Sequence, residues 1–250
     1  MKIKNWTALL GDCLDLMKDI PNGSIDCIIT DPPYWTTACK WDTVIPFDLM
    51  WAELKRIIKP NGAIILFGSE PFSSHLRCSN IKDFRYDIIW EKERPTNIFF
   101  MKKQIGKVHE IISIFYKKQP TYNPQMCDRK SNWESKRDLS IYDNNGSKTH
   151  EWQKYKYSEW YDDTKHYPRS IQKFNREMWK WRHPTQKPVA LIEYLIKTYT
   201  NEWETVLDFT SWSFTTAVAS ENTNRKWICI EKDEDYFNTW VDRVSKIVVQ

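Results

Sequence analysis

A carboxylate followed by two prolines and a tyrosine is the most distinctive group of reactive side chains in this sequence. Asp31-Pro32-Pro33-Tyr34 comes directly after the apolar run Ile25–Thr30. An aspartate at the end of a buried strand can accept hydrogen bonds from an amino group. The prolines fix the backbone so that a carbonyl points the same way, and the tyrosine offers a stacking face. Asp-Pro is also common turn chemistry, so an ordinary turn is the alternative interpretation.

A second pair of acidic residues has the spacing of a nucleotide-binding βαβ unit. Asp208 ends a short apolar run, and Glu231 ends the next one 23 residues later. The hydroxyl side chains of Ser213, Thr215 and Thr216 open the helix between them. In such units a turn approaches the ligand closely and the second acid binds ribose hydroxyls. The glycines that usually form this turn are absent, so the pattern is weak on its own.

The elements that must position these residues alternate between apolar strands and amphipathic helices. Strands are predicted over 7–11, 25–30, 63–67, 85–90, 108–116, 205–207 and 226–230, and helices over 13–19, 47–58, 70–80, 188–199, 214–221 and 234–247. Pro60-Asn61-Gly62 is expected to separate the second helix from the strand that follows it. The alternation predicts an α/β fold with a doubly wound, mostly parallel sheet. The stretches 85–90 and 108–116 are expected to form one antiparallel hairpin.

Composition excludes some classes of protein and leaves others open. The 250 residues carry 37 basic and 33 acidic side chains, a net charge of +4 that alone identifies no partner. No run approaches the roughly 18 apolar residues of a membrane span, and no apolar signal segment follows the first residues. The six cysteines form no Cys-x-x-Cys pair, which argues against a zinc site and fits reduced thiols. We therefore expect a cytoplasmic protein with no membrane partner and no metal.

Residues 117–182 differ in composition from the rest of the chain. They contain 15 basic and 9 acidic residues, a net charge of +6, whereas the remainder carries −2. Twelve aromatic side chains are interleaved with this charge, but only three Val, Ile or Leu residues are present, too few for a separate core. Basic and aromatic residues together favour contact with phosphates and bases. The segment is therefore predicted to bind nucleic acid.

Several long motifs occur in an order that resembles one family. Asp31-Pro32-Pro33-Tyr34 matches its D-P-P-Y motif, and residues 183–188 (HPTQKP) match the segment that precedes its cofactor loop. Residues 206–217 and 224–231 match that loop and the strand that follows it. On these motifs the chain resembles the amino-group DNA methyltransferases, which modify adenine N6 or cytosine N4 and use S-adenosylmethionine, in the β-class motif order. The resemblance covers nearly the whole chain.

The resemblance implies a Rossmann-like class I methyltransferase fold in three parts. Residues 1–116 would be the catalytic half, 117–182 the target-recognition insertion and 183–250 the cofactor-binding half of the same domain. The implied catalytic residues are Asp31, Pro32, Pro33 and Tyr34. The implied residues that bind S-adenosylmethionine are Asp12, Asp31, Lys187, Asp208, Phe209, Thr210, Ser211, Trp212, Ser213, Thr215, Thr216 and Glu231.

The resemblance also implies a mechanism and a substrate. A target base in double-stranded DNA must be flipped out before its amine can react. Asp31 and the Pro32 carbonyl would then accept hydrogen bonds from the amine and direct its lone pair at the methyl sulfonium, while Tyr34 stacks on the base. Asp at the first motif position favours adenine N6 over cytosine N4. The resemblance leaves open whether a cognate restriction endonuclease accompanies the enzyme, and whether the chain is a monomer or a homodimer.

Large side chains occupy positions where this family usually has glycine. They are Trp35, Trp203, Trp212 and Phe214. Glycine makes up only 6 of the 250 residues, whereas a usual share of ~7% would be about 17. Tryptophan, in contrast, occurs 14 times. One hypothesis is that the gene uses UGA as a glycine codon and was translated with UGA as tryptophan; the alternative is a degenerate copy. An indole at position 212 is expected to fill the methionine or ribose part of the cofactor site.

The sequence thus favours a site-specific DNA adenine methyltransferase and leaves other functions open. One is a DNA-binding relative whose cofactor loop is blocked by Trp212 and whose catalysis is impaired. The others are a cytosine N4 target, and a methyltransferase that acts on RNA or protein.

Overall fold

The computed structural model describes residues 2–3, 6–34, 43–128, 165–176 and 186–248 of the chain. The strands, numbered along the chain, are β1 (Lys2–Ile3), β2 (Trp6–Leu10), β3 (Ile25–Thr30), β4 (Ile58–Gly68), β5 (Phe84–Glu91), β6 (His109–Phe115), β7 (Cys127–Asp128), β8 (Lys165–His166), β9 (Ile171–Lys173), β10 (Thr205–Asp208) and β11 (Lys226–Glu231).

Helices connect most of these strands. The α-helices are α1 (Cys13–Leu16), α2 (Phe47–Ile57), α3 (Phe72–Ser79), α4 (Val189–Tyr199), α5 (Thr215–Asn222) and α6 (Glu234–Val248), and 3-10 turns span Met17–Asp19 and Ile98–Phe100. In the part of the chain that is described, no helix is both long and apolar enough to cross a membrane.

Nine of the described strands form one mostly parallel sheet. Their order is β1-β2-β11-β10-β3-β4-β6-β5-β9. The strands β2, β11, β10, β3 and β4 run parallel to one another. The strand β6 runs antiparallel between β4 and β5, and it forms with β5 the hairpin that the sequence predicts. The predicted doubly wound α/β fold is therefore confirmed.

Helices cover both faces of the central strands because side chains alternate along a strand. Ile28 packs in a cluster with Leu54 of α2, whereas its neighbour Ile29 packs in a cluster with Leu195 of α4. All six residues of β3 are buried. Burial of one such aliphatic side chain contributes about 1.5–3 kcal/mol, so β3 is anchored firmly and fixes where the residue after it lies.

The expectation that Pro60-Asn61-Gly62 separates helix from strand is wrong. These three residues lie inside β4. The register between β3 and β4 shifts there, since Ile25 pairs with Ile58 whereas Cys27 pairs with Ala63. The extra residues on β4 form a bulge, which is a position where a sheet tolerates proline and glycine.

The chain divides into two compact units. One comprises Met1–Asn123 with Arg169–Gln250 and contains the nine-stranded sheet; the other comprises Pro124–Pro168, in which β7 pairs antiparallel with β8. Residues 129–164 and 177–182 of the predicted insertion lie outside the described residues, so its role in target recognition stays a prediction. The strand β9 comes from the same predicted segment but extends the main sheet beside β5.

Candidate active site

Four acidic side chains lie at one edge of the parallel sheet. Asp12 follows β2, Glu231 ends β11, Asp208 ends β10 and Asp31 follows β3. Because these neighbouring strands run parallel, their carboxyl ends meet at the same edge, which is where open α/β sheets bind ligands. The fold therefore brings together the three acidic residues that the two sequence motifs identify and Asp12, which the family resemblance adds.

The carboxylate of Asp31 has a partner at each oxygen. The Tyr34 hydroxyl donates a hydrogen bond to Oδ1, and Nζ of Lys187 lies 2.5 Å from Oδ2. Burial raises the pKa of Asp31 above its ordinary value, and the positive charge of Lys187 opposes that shift. The lysine thus favours the ionised carboxylate, which is the form that can accept hydrogen bonds from an amine.

Two further charged side chains extend this ion pair into the protein. Nζ of Lys187 also lies 3.1 Å from Oε2 of Glu110, and Lys92 donates to the other oxygen of Glu110. Burial alone would raise the pKa of Glu110, but the ammonium groups of Lys187 and Lys92 outweigh it and lower the pKa to about 2. We call Asp31, Lys187, Glu110 and Lys92 the Asp31 charge chain.

Glu110 and Lys92 were not among the residues predicted from the sequence. Lys92 directly follows β5 and Glu110 is the second residue of β6, so both lie at the end of the predicted hairpin where the connecting loop joins its two strands. A charged residue there usually faces solvent, and nothing in the local pattern indicates burial. The position of this hairpin end could have identified both residues as neighbours of Asp31. The strand β5 runs parallel to β4 and therefore ends at the same edge of the sheet as β3.

The backbone carbonyl of Asp31 is also bound. It accepts hydrogen bonds from Nε1 of Trp212 and from Oγ1 of Thr210, each at 3.1 Å. These contacts join the loop after β10 directly to the loop after β3. The indole of Trp212 therefore lies beside Asp31 rather than outside the site.

Asp208 holds the base of the loop after β10. Its carboxylate accepts hydrogen bonds from the hydroxyls of Thr30 at 2.5 Å and Thr216 at 2.7 Å, and from the Thr210 amide at 3.2 Å. Burial raises the pKa of Asp208 to about 6, and the donated hydrogen bonds oppose the shift. Asp208 thus organises the loop by linking β3, β10 and α5.

Glu231 and Asp12 face the next part of the same edge. Glu231 accepts three backbone hydrogen bonds, from the amides of Trp212, Lys232 and Asp233 at 2.8–2.9 Å. The Asp12 carboxylate accepts a hydrogen bond from the Leu14 amide at the start of α1. Burial raises the pKa of Glu231, and its three backbone donors oppose that shift.

Two cavities open between these groups. A cavity of about 510 Å³ is lined by residues that include Asp12, Pro33, Phe209, Thr210, Trp212, Glu231 and Tyr236. A second, of about 30 Å³, is lined by residues that include Asp31, Lys187, Asp208, Ser211, Ser213, Thr215 and Thr216. Thr210 and Trp212 line both cavities. The larger one has a volume typical of small-ligand sites, whereas the smaller one has room for about one water molecule.

Three of the positions predicted to be glycine in relatives have left-handed backbone. The φ angles are +67° at Trp203, +35° at Trp212 and +51° at Phe214. Left-handed backbone costs a residue with a Cβ about 1–2 kcal/mol, which is why glycine prefers such positions. The side chains differ in placement: Phe214 is fully buried against α6 and Trp227, Trp203 is 62% exposed, and Trp212 lines the cavities.

Most of the predicted site residues line these two cavities. Among the residues predicted to be catalytic, Asp31 and Pro33 line a cavity, whereas Pro32 is buried beside them and Tyr34 packs its ring 5.0 Å from that of Phe72. Trp35 and residues 183–185 lie outside the described residues, so the expectations for them stay predictions.

Comparisons with known proteins identify relatives of this chain. The sequence profile of a family described as DNA methylase matches residues 25–242. The DNA adenine methyltransferase YhdJ of Escherichia coli (strain K12) is 29% identical over 254 residues, which cover 96% of this chain and 82% of that protein. The type II methyltransferase M2.MboI of Moraxella bovis is 25% identical over 272 residues, with coverage of 98% and 89%.

Solved structures share the fold. The complex of M1.HpyAVI with SAM has a TM-score of 0.62 and 24% identity, over 95% of this chain and 98% of that chain. The PvuII DNA methyltransferase, described as cytosine-N4-specific, has a TM-score of 0.68 and 15% identity, with coverage of 98% and 92%.

Proposed function

The chain belongs to the DNA methylase family, and we propose that it transfers a methyl group from S-adenosylmethionine to the N6 amine of adenine at a specific site in double-stranded DNA. The observation that carries the proposal is the placement of the Asp31 carboxylate. It lies at the carboxyl edge of the sheet, next to the cavities, with Lys187 on one oxygen. The adenine target follows from the Asp at the start of the motif and from the name of the relative YhdJ.

The larger cavity fits the nucleoside part of the cofactor. Its acidic lining, Asp12 and Glu231, can accept hydrogen bonds from an adenine amine and from ribose hydroxyls. When bound, S-adenosylmethionine supplies a methyl group on a cationic sulfur. The smaller cavity does not fit the amino-acid part of the cofactor at its present volume of about 30 Å³, and Trp212 and Phe67 are the two aromatic side chains that line it.

The chain's own residues can hold and activate the target amine. Since a stacked base is unreachable, the adenine must leave the duplex. An N–H of its amine would replace the Tyr34 hydroxyl on Oδ1 of Asp31, while Lys187 stays on Oδ2. The carboxylate then stabilises positive charge that develops on the amine nitrogen and can accept the proton that this nitrogen must lose. No covalent nucleophile is required.

The test compares two single variants with opposite expected effects. Asp31→Asn should reduce methyl incorporation into DNA by at least about 10²–10³-fold, because a preorganised charge in the transition state is removed, while S-adenosylmethionine affinity changes little. Asp12→Asn should weaken cofactor binding and leave the rate at saturation largely intact. Both are measured in the chain as it stands and with Trp212→Gly, by radiolabel transfer and isothermal titration.

Base-resolved sequencing of the methylated DNA identifies the target. N6-methyladenine at one recurrent sequence would support the proposal. Modification of cytosine N4, transfer only to RNA or protein, or no transfer by either form of the chain would overturn it. Undiminished transfer by Asp31→Asn would remove this residue from the mechanism.

The proposal extends to the cellular setting. Because several relatives are named type II methyltransferases, we propose that the methylated site protects cytoplasmic DNA from a cognate restriction endonuclease. Plasmids modified by the enzyme should resist the nuclease encoded beside its gene, and sensitivity of those plasmids would contradict this role. Sedimentation with and without DNA distinguishes a monomer from a homodimer.

A further inference from the structure

The segment that joins β5 to β6 exposes an unusual concentration of apolar side chains. We call residues 92–108 the β5–β6 loop. Phe99 is 97% exposed and Ile105 is 93% exposed, and their neighbours Ile98, Phe100 and Met101 are each at least 47% exposed. Contiguous exposed apolar side chains usually mark an interaction surface.

The loop has a defined conformation that holds these side chains outward. The Thr96 amide donates to the Lys107 carbonyl at 2.9 Å, and the side chain of Asn97 bonds the Ile105 carbonyl at 3.0 Å and the Lys107 amide at 2.6 Å. Between these bridges lies the 3-10 turn Ile98–Phe100. The exposure is thus a property of an ordered turn with internal hydrogen bonds.

The β5–β6 loop lies at the same edge of the sheet as Asp31. The strand β5 runs parallel to β4, so the loop leaves the sheet at the edge where Asp31 follows β3. At its first residue, Lys92 belongs to the Asp31 charge chain, and near its end Lys107 donates to the hydroxyl of Ser69, just after β4. Both ends of the loop are therefore tied to the rim of the active site.

The positive charge of the loop favours nucleic acid as the partner of this surface. Between Glu93 and Glu110 there are four basic residues, Arg94, Lys102, Lys103 and Lys107, and no acidic residue. Positive side chains that flank exposed aromatic rings match the phosphates and base faces of nucleic acid. A duplex that presents its base to Asp31 must pass close to this loop.

We propose that the β5–β6 loop enters the DNA duplex where the target adenine leaves it, with Phe99 stacked in the vacated space and Lys102 and Lys103 on the flanking phosphates. The inference rests on the proposed function, which requires an extruded base. An inserted apolar side chain compensates for the stacking that disappears when a base turns out. Phe99 is thus a residue that lowers the cost of base extrusion without touching the cofactor.

The experiment uses a duplex that already lacks one base. Binding of the full chain to a short duplex with one central abasic site is compared with binding to the intact duplex by fluorescence anisotropy, without cofactor. We expect about tenfold tighter binding to the abasic duplex, and Phe99→Ala should abolish this preference, because one aromatic stacking contact is worth about this factor. Affinity of Phe99→Ala for the intact duplex should change less than about threefold.

Two further variants serve as controls. Ile81→Ala removes a side chain that is 66% exposed at the opposite end of β5, and it should retain the full preference. Lys102→Gln with Lys103→Gln should weaken binding to both duplexes equally and reduce the log–log salt slope by about 0.9 for each phosphate that these lysines no longer neutralise.

An unchanged abasic preference in Phe99→Ala would overturn the inference. So would a change in the sedimentation coefficient of that variant without DNA, which would mark the loop as a contact between copies of this chain, or binding to anionic phospholipid vesicles that depends on Phe99. This assay is independent of methyl transfer, so an inactive enzyme that shows the Phe99-dependent preference would refute the proposed function alone.

Discussion

The Asp31 charge chain and the loop after β10 lie at the same edge of the sheet, and they differ in how well their side chains suit their surroundings. In the charge chain every member has an oppositely charged partner. In the loop, Asp208 and Glu231 hold the backbone by hydrogen bonds, but Trp203 before it and Trp212 and Phe214 within it have left-handed φ angles. The first region matches charge with charge, whereas the second combines a glycine-like backbone with large side chains.

The difference shows that the backbone path of a loop can be kept by its hydrogen bonds even where the side chains have volumes that the path does not favour. The path of the loop after β10 is held by the hydrogen bonds of Asp208 to Thr30 and of Glu231 to the Trp212 amide. Left-handed backbone at Trp203 and Trp212 fits the hypothesis that these are glycines encoded by UGA. Phe214 has the same backbone but is not a tryptophan, so recoding cannot explain that position. Reading the codons tests the hypothesis: UGG at 35, 203 and 212 would exclude it.

Of the substitutions that test this comparison, the largest effect on activity is expected in the charge chain. Glu110→Gln leaves Lys187 with one carboxylate instead of two, and we expect kcat to fall by about 10–100-fold, as small misplacements of catalytic groups do. S-adenosylmethionine affinity should stay within about threefold, because Glu110 lines neither cavity. Single-turnover rates and calorimetric titration check the two expectations.

A pH profile separates this positioning role from general destabilisation. The negative charge of Glu110 raises the pKa of Asp31, so its removal should lower that pKa. Asp31 must be ionised to accept the amine, hence activity is lost as the pH falls through the pKa of Asp31. The acid limb of kcat/KM should therefore move to lower pH in Glu110→Gln. An unmoved limb would mean that Glu110 is only structural.

The next effect concerns the indole that lines both cavities. Trp212→Gly removes an indole that lines both cavities and relieves the left-handed strain. An excess side chain in a packed site costs about 1–3 kcal/mol, so S-adenosylmethionine affinity should rise at least tenfold. Isothermal titration of both chains measures this. Equal, tight binding would show that the indole does not compete with the cofactor.

The smallest effect is expected at Trp203, which lies in a turn and lines neither cavity. Trp203→Gly relieves about 1–2 kcal/mol of left-handed strain in the folded chain. Glycine also gives the unfolded chain more conformational freedom, which reduces this gain in stability by about 0.5–1 kcal/mol. The melting temperature should therefore rise by roughly 1–4 °C, with cofactor affinity unchanged. Trp203→Ala retains a Cβ and should not gain this stability; an equal gain would refute the strain argument.

The sequence by itself determined the seven longer strands, the six α-helices of the described residues and the place of Asp31 at the end of β3, but not the short strands β1, β7, β8 and β9. Ile25–Thr30 is a strand as predicted, because a continuous apolar run can be satisfied only by burial on both faces. The order of strands and helices then required parallel strands whose carboxyl ends meet, and this places Asp31, Asp208 and Glu231 at one edge. These inferences depend on local pattern and chain connectivity, both of which are readable in one dimension.

Only the tertiary structure decided which side chains meet across that edge. Lys187 and Asp31 are 156 positions apart in the chain, and the link through Glu110 to Lys92 depends on how the β5–β6 hairpin packs beside β4. It also decided that Trp212 contacts the Asp31 carbonyl while Phe214 turns into the core. Charge pairing and side-chain direction depend on the distances between elements, and no periodicity of the sequence encodes those distances.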